Sequence, residues 1–170
     1  SSIIFNGSKL FIDLSASKLL TISQYGNWAL IIIIATYMTN FHFGILNGMG
    51  REIPIALGED KKNKVQLFKL AGLGTILIVT VLVAFIFFIT ATIQNDKATH
   101  YALVLLVFIG LMFYQFVQSV LRAEQKFNKS SYQQALAGAL MLVLSMCLMY
   151  LFGKTGLAIG FSMSLLIVSL

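Results

Sequence analysis

The sequence predicts an all-α protein, a polytopic transmembrane bundle of about six spans. Three observations carry that prediction. First, 58% of the 170 residues are hydrophobic and only 11% are charged, whereas a soluble domain carries about 25% charge. Second, mean hydropathy is +0.88. Third, the apolar segments reach the length of roughly 20 residues that a helix needs to cross the hydrocarbon. The run from Thr75 to Ile93 lacks the polar–apolar alternation of a barrel strand. A bilayer satisfies no backbone group from outside, which leaves helices.

In chain order the spans are expected at about 3–22, 28–46, 67–93, 101–121 and 132–152, with a sixth from 156 that continues to 170. The whole of 1–170 then forms one transmembrane unit. The chain begins without methionine and stops inside an apolar run, so it is expected to be a piece of a longer protein. "SQYGN" is expected to join the first two spans, "QNDKATH" the third and fourth, and "GKTG" the fifth and sixth. The remaining connections are longer and basic. "PIALGEDKKN" reads as a short interfacial helix, with Pro54 at its first position and Gly58 as its stop. Gly44-x-x-x-Gly48 and Gly156-x-x-x-Gly160 permit close helix approach, within the chain or between copies.

Charge sets the orientation. Arg51, Lys61, Lys62, Lys64, Lys69, Arg122, Lys126 and Lys129 fall on one side, against Lys97 and Lys154 on the other. The positive-inside bias makes the basic side cytoplasmic and starts the N-terminus there. The same bias accounts for the net charge of +6 without a nucleic-acid partner. The single cysteine, Cys147, excludes an intrachain disulfide and is expected as a small buried hydrophobe. His42 and His100 lie far apart in sequence without acidic neighbours, so no metal centre is expected. Trp28, Tyr25 and Tyr101 at span ends are expected as interface anchors.

Polar residues inside spans are costly unless paired or hydrated, which makes them functional candidates. Asn6, Lys9, Asp13 and Ser17 fall within an arc of about 80° on the first helix. Lys9 and Asp13, at i and i+4, are also placed to neutralise each other. Lys18 projects elsewhere and is expected to snorkel. On a continuous second helix Thr36, Asn40, Asn47 and Arg51 span about 60°. In the fourth, Gln115, Gln118, Ser119 and Arg122 cluster, again with an arginine innermost. These stripes either glue helices by hydrogen bonding or line one hydrated cavity with guanidinium groups at its inner mouth, a geometry suited to bidentate capture of phosphate. Neither a phosphate-binding P-loop, a His-Glu metal motif nor a nucleophile elbow is present, so no enzymatic chemistry and no cofactor is expected.

"SQYGNWALI" followed by "GILNGMGREIPIALGEDKKNK", and later "VLRAEQKFNKSSYQQALAGAL" leading into "LFGKTGLAIGFSMSLL", resemble polysaccharide-export flippases of the O-antigen type. These belong to the multidrug/oligosaccharidyl-lipid/polysaccharide exporter superfamily. The resemblance implies a two-lobed helical transporter of which this chain is most of the N-terminal six-helix lobe. It implies movement of a polyprenyl-pyrophosphate-linked oligosaccharide across the bacterial cytoplasmic membrane by alternating access, without ATP hydrolysis. It places Arg51 and Arg122 on the anionic head group, with Lys9 as a further match, Asp13 diluting its field, and Asn40, Asn47, Gln115 and Gln118 lining the cavity. Polysaccharide polymerase and glycosyltransferases become candidate partners. The competing functions are a multidrug or cation-coupled antiporter, for which only Asp13 supplies the expected acidity, and a membrane scaffold whose stripes merely join helices.

Overall fold

The structure, a computed structural model, describes residues 2–42, 44–94 and 97–170. Every element in it is helical: α1 (Ser2–Leu19), α2 (Ile22–Met38), a 3-10 turn (Thr39–His42), α3 (Ile45–Gly58), α4 (Lys62–Ile93), α5 (Ala98–Ala123) and α6 (Phe127–Ser169). The expected all-α bundle is what forms. The helices α4, α5 and α6 are each long and apolar enough to cross a membrane, and α2 with α3 adds a fourth candidate if that bent pair is one span. This is a helical membrane protein. The expectation of six spans fares differently at its two ends. Helix α1 carries Lys9, Asp13 and Lys18 within its 18 residues and is not among the candidates.

Helix α6 is long only along the chain. Gly153 adopts φ 59°, ψ −134° and reverses it. A Cβ at Gly160 would lie 2.7 Å from the carbonyl oxygen of Leu144, and Gln133 Nε2 donates to the carbonyl of Val168 at 2.7 Å. Contacts so far apart in sequence require two antiparallel arms, 127–152 and 154–169. The "GKTG" connection was therefore legible, and the reversal needs one glycine in a conformation that a side chain would strain.

Three boundaries move. The "SQYGN" segment is helical, because Thr21 and Gln24 form a capping box that starts α2 at Ile22. The second span is not continuous to Leu46: α2 ends at Met38, a 3-10 turn follows, Gly44 takes φ 75°, and α3 leaves at 48° to the preceding segment. Pro54 is not a first helical residue but lies inside α3. Asn95 and Asp96, part of the expected connection between the third and fourth spans, lie outside the described residues.

The two basic turns share one geometry. At the end of α3, Asp60 takes φ 54°, with Lys61 N donating to Ala56 O and Asp60 N to Leu57 O. At the end of α5, Gln125 takes φ 57°, with Lys126 N donating to Leu121 O and Gln125 N to Arg122 O. Both are Schellman closures with a non-glycine residue in the left-handed position. Behind them is a repeat missed in the sequence reading, Glu-x-Lys-x-Asn-Lys at 59–64 and again at 124–129. In each copy the glutamate pairs with the lysine two residues on, Glu59 with Lys61 at 2.7 Å and Glu124 with Lys126 at 2.5 Å. Since L-residues in that conformation cost about 1 kcal/mol or more, Gln125→Gly should raise stability by about 0.5–1 kcal/mol. Asp60→Gly should gain less, because Asp tolerates the left-handed region. Thermal unfolding in detergent reads both, and equal or lower stability of Gln125→Gly would count against strain at this turn.

The core runs through the bundle centre, where Trp28, Phe108, Phe161, Ile12 and Met141 are almost wholly buried. Trp28 is therefore no interface anchor. It packs edge-to-face on Phe161 at 5.7 Å and is 2% exposed. Cys147 is likewise not buried but exposed on the flank of α6, beside other outward apolar residues such as Val143 and Tyr150. Close packing is set by glycines. Gly110 admits the backbone of Ser162 and Gly138 admits Phe5 and Ser8 of α1, so α5, α6 and α1 approach without intervening side chains.

Candidate functional site

The residues singled out by the sequence fall into two depressions that share no lining residue. The first, about 440 Å³, lies between α3 and α5 and is lined by Asn47, Gly50, Gln115, Gln118, Ser119 and Arg122, with Tyr114 on its wall. The second, about 280 Å³, lies along α1 and is lined by Asn6, Lys9, Asp13 and Ser17, with Tyr25 of α2. The stripes of α1 and α5 thus group as the helical arithmetic expected, of the second stripe only Asn47 lines a depression, and the structure does not merge the groups into one cavity. Phe5 of α1 stacks on Tyr114 with ring centroids 5.3 Å apart. That stack seats α1 against the wall of the first depression while Asn6, the next residue, opens on the second.

Within the first depression most polar groups are already committed. Gln118, 5% exposed, donates to Gln133 Oε1 at 3.0 Å and accepts from Ser130 Oγ at 2.7 Å and from Gln134 Nε2 at 3.1 Å. Its amide fastens α5 to α6. Gln115 Nε2 donates to Thr39 Oγ1 at 3.3 Å, and Ser119 Oγ donates to Leu46 O at 3.1 Å. These two residues, one helical turn apart on α5, span the break between α2 and α3 and hold both sides of it. The sequence suggested a row of ligand-facing amides. The structure uses part of that row to stitch a discontinuous helix.

Asn40 is not among the lining residues of either depression. The wheel that aligned it with Asn47 assumed an unbroken helix, whereas the 3-10 turn and Gly44 change the rotational register between them. It is exposed at the break. The expected Lys9–Asp13 neutralisation does not form either. Asp13 Oδ1 accepts from Trp28 Nε1 at 3.3 Å, and no ion pair joins it to Lys9. Lys18 is exposed, as expected.

The arginines differ from Lys61, Lys62, Lys69 and Lys126, each of which pairs with an acid. Among the described residues, neither Arg51 nor Arg122 has an ion-pair or hydrogen-bond partner. Arg122 lines the first depression, and Arg51 is exposed beside Gly50, one turn on from Asn47. Both Gly48 and Gly50 face open space, with nothing within 4 Å of a notional Cβ. The Gly44–Gly48 pair therefore packs against no helix here, whereas Gly156 and Gly160 do.

Glu124, two residues after Arg122, is occupied by lysines. Its carboxylate takes Lys69 of α4 on one oxygen and Lys126 on the other. Burial alone would raise its pKa, but the hydrogen bonds from Lys126 and Lys69, with their charges, outweigh that and hold it below the usual carboxylate range. A depressed pKa means the clamp is in force at neutral pH and is lost as pH falls through that lowered value. Glu124 is thereby engaged by lysines and forms no ion pair with Arg122, while Glu52, next to Arg51, is in no ion pair among the described residues.

Comparison with family models, with curated proteins and with solved structures returns no match.

Proposed function

We propose that the protein is a transporter that moves a polyprenyl-pyrophosphate-linked oligosaccharide across the bacterial cytoplasmic membrane by alternating access, with its N-terminus and its basic turns cytoplasmic. One observation carries the reading: two guanidinium groups at the same end of the bundle, without a partner among the described residues, one of them lining a polar depression in a membrane protein. An unpaired arginine offers five donors in a planar fork that fits a phosphate in two places at once. The amide of Asn47, which has no partner among the described residues, adds a neutral donor deeper in the same depression. Gly48 and Gly50 leave room for a bulky head group.

The helix-joining alternative is favoured at Gln115, Gln118 and Ser119, whose side chains are spent on neighbouring elements; it does not account for the arginines, which have no partner among the described residues. Radiolabelled lipid-linked sugar reconstituted with the full-length protein in vesicles tests the proposal. Protein-dependent movement of the label to the opposite leaflet is expected. Movement of a cationic drug instead would favour the antiporter, and movement of neither would favour the scaffold.

The orientation has its own test. Asn63 and Thr99 are both exposed and lie at opposite ends of α4 and α5. In a Cys147→Ser background, needed because Cys147 is exposed, a cysteine at Thr99 should react with an impermeant thiol reagent in intact cells and one at Asn63 should not. The reverse pattern would invert the topology and put the arginines outside.

A further inference from the structure

The end of the bundle opposite the arginines has a different chemistry. Between α4 and α5 lies a groove of about 530 Å³ flanked by Phe85 and Phe88 and hollowed where Ala84, Ala91, Ala98 and Ala102 replace larger side chains. Its lining is almost wholly apolar. Phe87 packs on Tyr101 with centroids 5.8 Å apart, and the Tyr101 hydroxyl donates to Gln94 Oε1 at 3.0 Å. The one hydroxyl on its wall is therefore used at the rim.

Basic groups approach this end of the bundle from two separate turns. Lys97 is the residue that opens α5, directly before the groove residue Ala98, and Lys154 follows the reversing Gly153 of α6. His100 lies within electrostatic reach of both ammonium groups. Among the described residues neither lysine forms an ion pair. The neighbouring acid, Asp96, lies outside the described residues.

An apolar groove with cations near its end that are unpaired among the described residues is complementary to an amphiphile with an anionic head. Size narrows the choice. A methylene takes up about as much space as a water molecule, roughly 30 Å³, so the groove accommodates a single chain of about 18 carbons. That is the size of one acyl chain. We propose that the α4–α5 groove binds one anionic phospholipid, with an acyl chain along the four alanines and its phosphate on Lys97 in the field of Lys154. The site is separate from the arginine depression and independent of what that depression carries.

The test is native mass spectrometry of the purified protein equilibrated with mixed micelles of phosphatidylglycerol or phosphatidylcholine of matched chains. One phosphatidylglycerol should stay bound per chain, in preference to phosphatidylcholine. The Ala91→Leu/Ala102→Leu protein, whose larger side chains fill the groove, should retain neither. Lys97→Gln should lower the preference about fivefold, as should Lys154→Gln, in keeping with the worth of one basic residue near an anionic lipid. Circular dichroism checks that each variant is folded. Equal retention of the two lipids, or undiminished retention by the filled groove, would reduce the groove to ordinary lipid contact and overturn the proposal. Displacement of phosphatidylglycerol by an equimolar polyprenyl phosphate would overturn the assigned occupant.

Discussion

Replacing Arg122 by glutamine should lower flipping of the lipid-linked sugar on the order of tenfold to a hundredfold, the loss that follows from removing a charged hydrogen bond worth roughly 1.5–3 kcal/mol. Arg122→Lys keeps the charge and loses the fork, so its activity should fall between wild type and glutamine. The same order is expected at Arg51, with smaller losses, because Arg51 flanks the depression while Arg122 lines it. Neither arginine holds a partner among the described residues, so the amount of protein in the membrane should not change, and flipping per molecule is the quantity to measure. If the arginines act only as topology markers that snorkel to lipid phosphates, lysine will be silent at both positions. Normal export by both glutamine proteins would end the head-group reading.

A methyl group at Gly156 or Gly160 should damage the fold more than any change at the arginines. The Cβ of an alanine at Gly156 would lie 1.9 Å from the carbonyl oxygen of Leu148, and at Gly160 it would lie 2.7 Å from both Leu144 O and Ser145 Cα. Those neighbours are backbone and cannot rotate away, so the two arms of α6 must separate. The cost should reach the upper end for overpacking, about 3 kcal/mol or more. Gly48→Ala is the control, because nothing lies within 4 Å there; it should be neutral or gain up to about 1 kcal/mol from helix propensity. Thermal unfolding and yield in detergent read all three. A Gly160→Ala protein as stable as wild type would mean that the arms do not touch as described.

What could be read in advance was what depends on local period and on the bilayer. Helix identity followed from length and hydropathy, and the grouping of Asn6, Lys9, Asp13 and Ser17 followed from 100° per residue. What could not be read was tertiary. Trp28 at the start of an apolar run looks the same in sequence whether it faces headgroups or, as here, Phe161 and Asp13. The alignment of Asn40 with Asn47 failed because a wheel carries no information about a break. Gly44 and the polar Thr39-Asn40 pair were the available signals, and only the bonds from Gln115 and Ser119 show how the break is held. The Glu-x-Lys-x-Asn-Lys repeat was fully visible but has no standard meaning in sequence terms. Its sense emerged once both copies were seen to close a helix and begin the next.

The reversal at Gly153 also constrains how the chain enters the bilayer during synthesis. The arm 127–152 carries Gln133 and Gln134, whose amides find partners on Val168 of the second arm and on Gln118 of α5. Alone in hydrocarbon it would hold those groups unsatisfied, a penalty of several kcal/mol. The turn supplies a single non-helical residue and so no slack for one arm to wait while the other is made. Pairing of the two arms beside α5 is therefore what satisfies these amides.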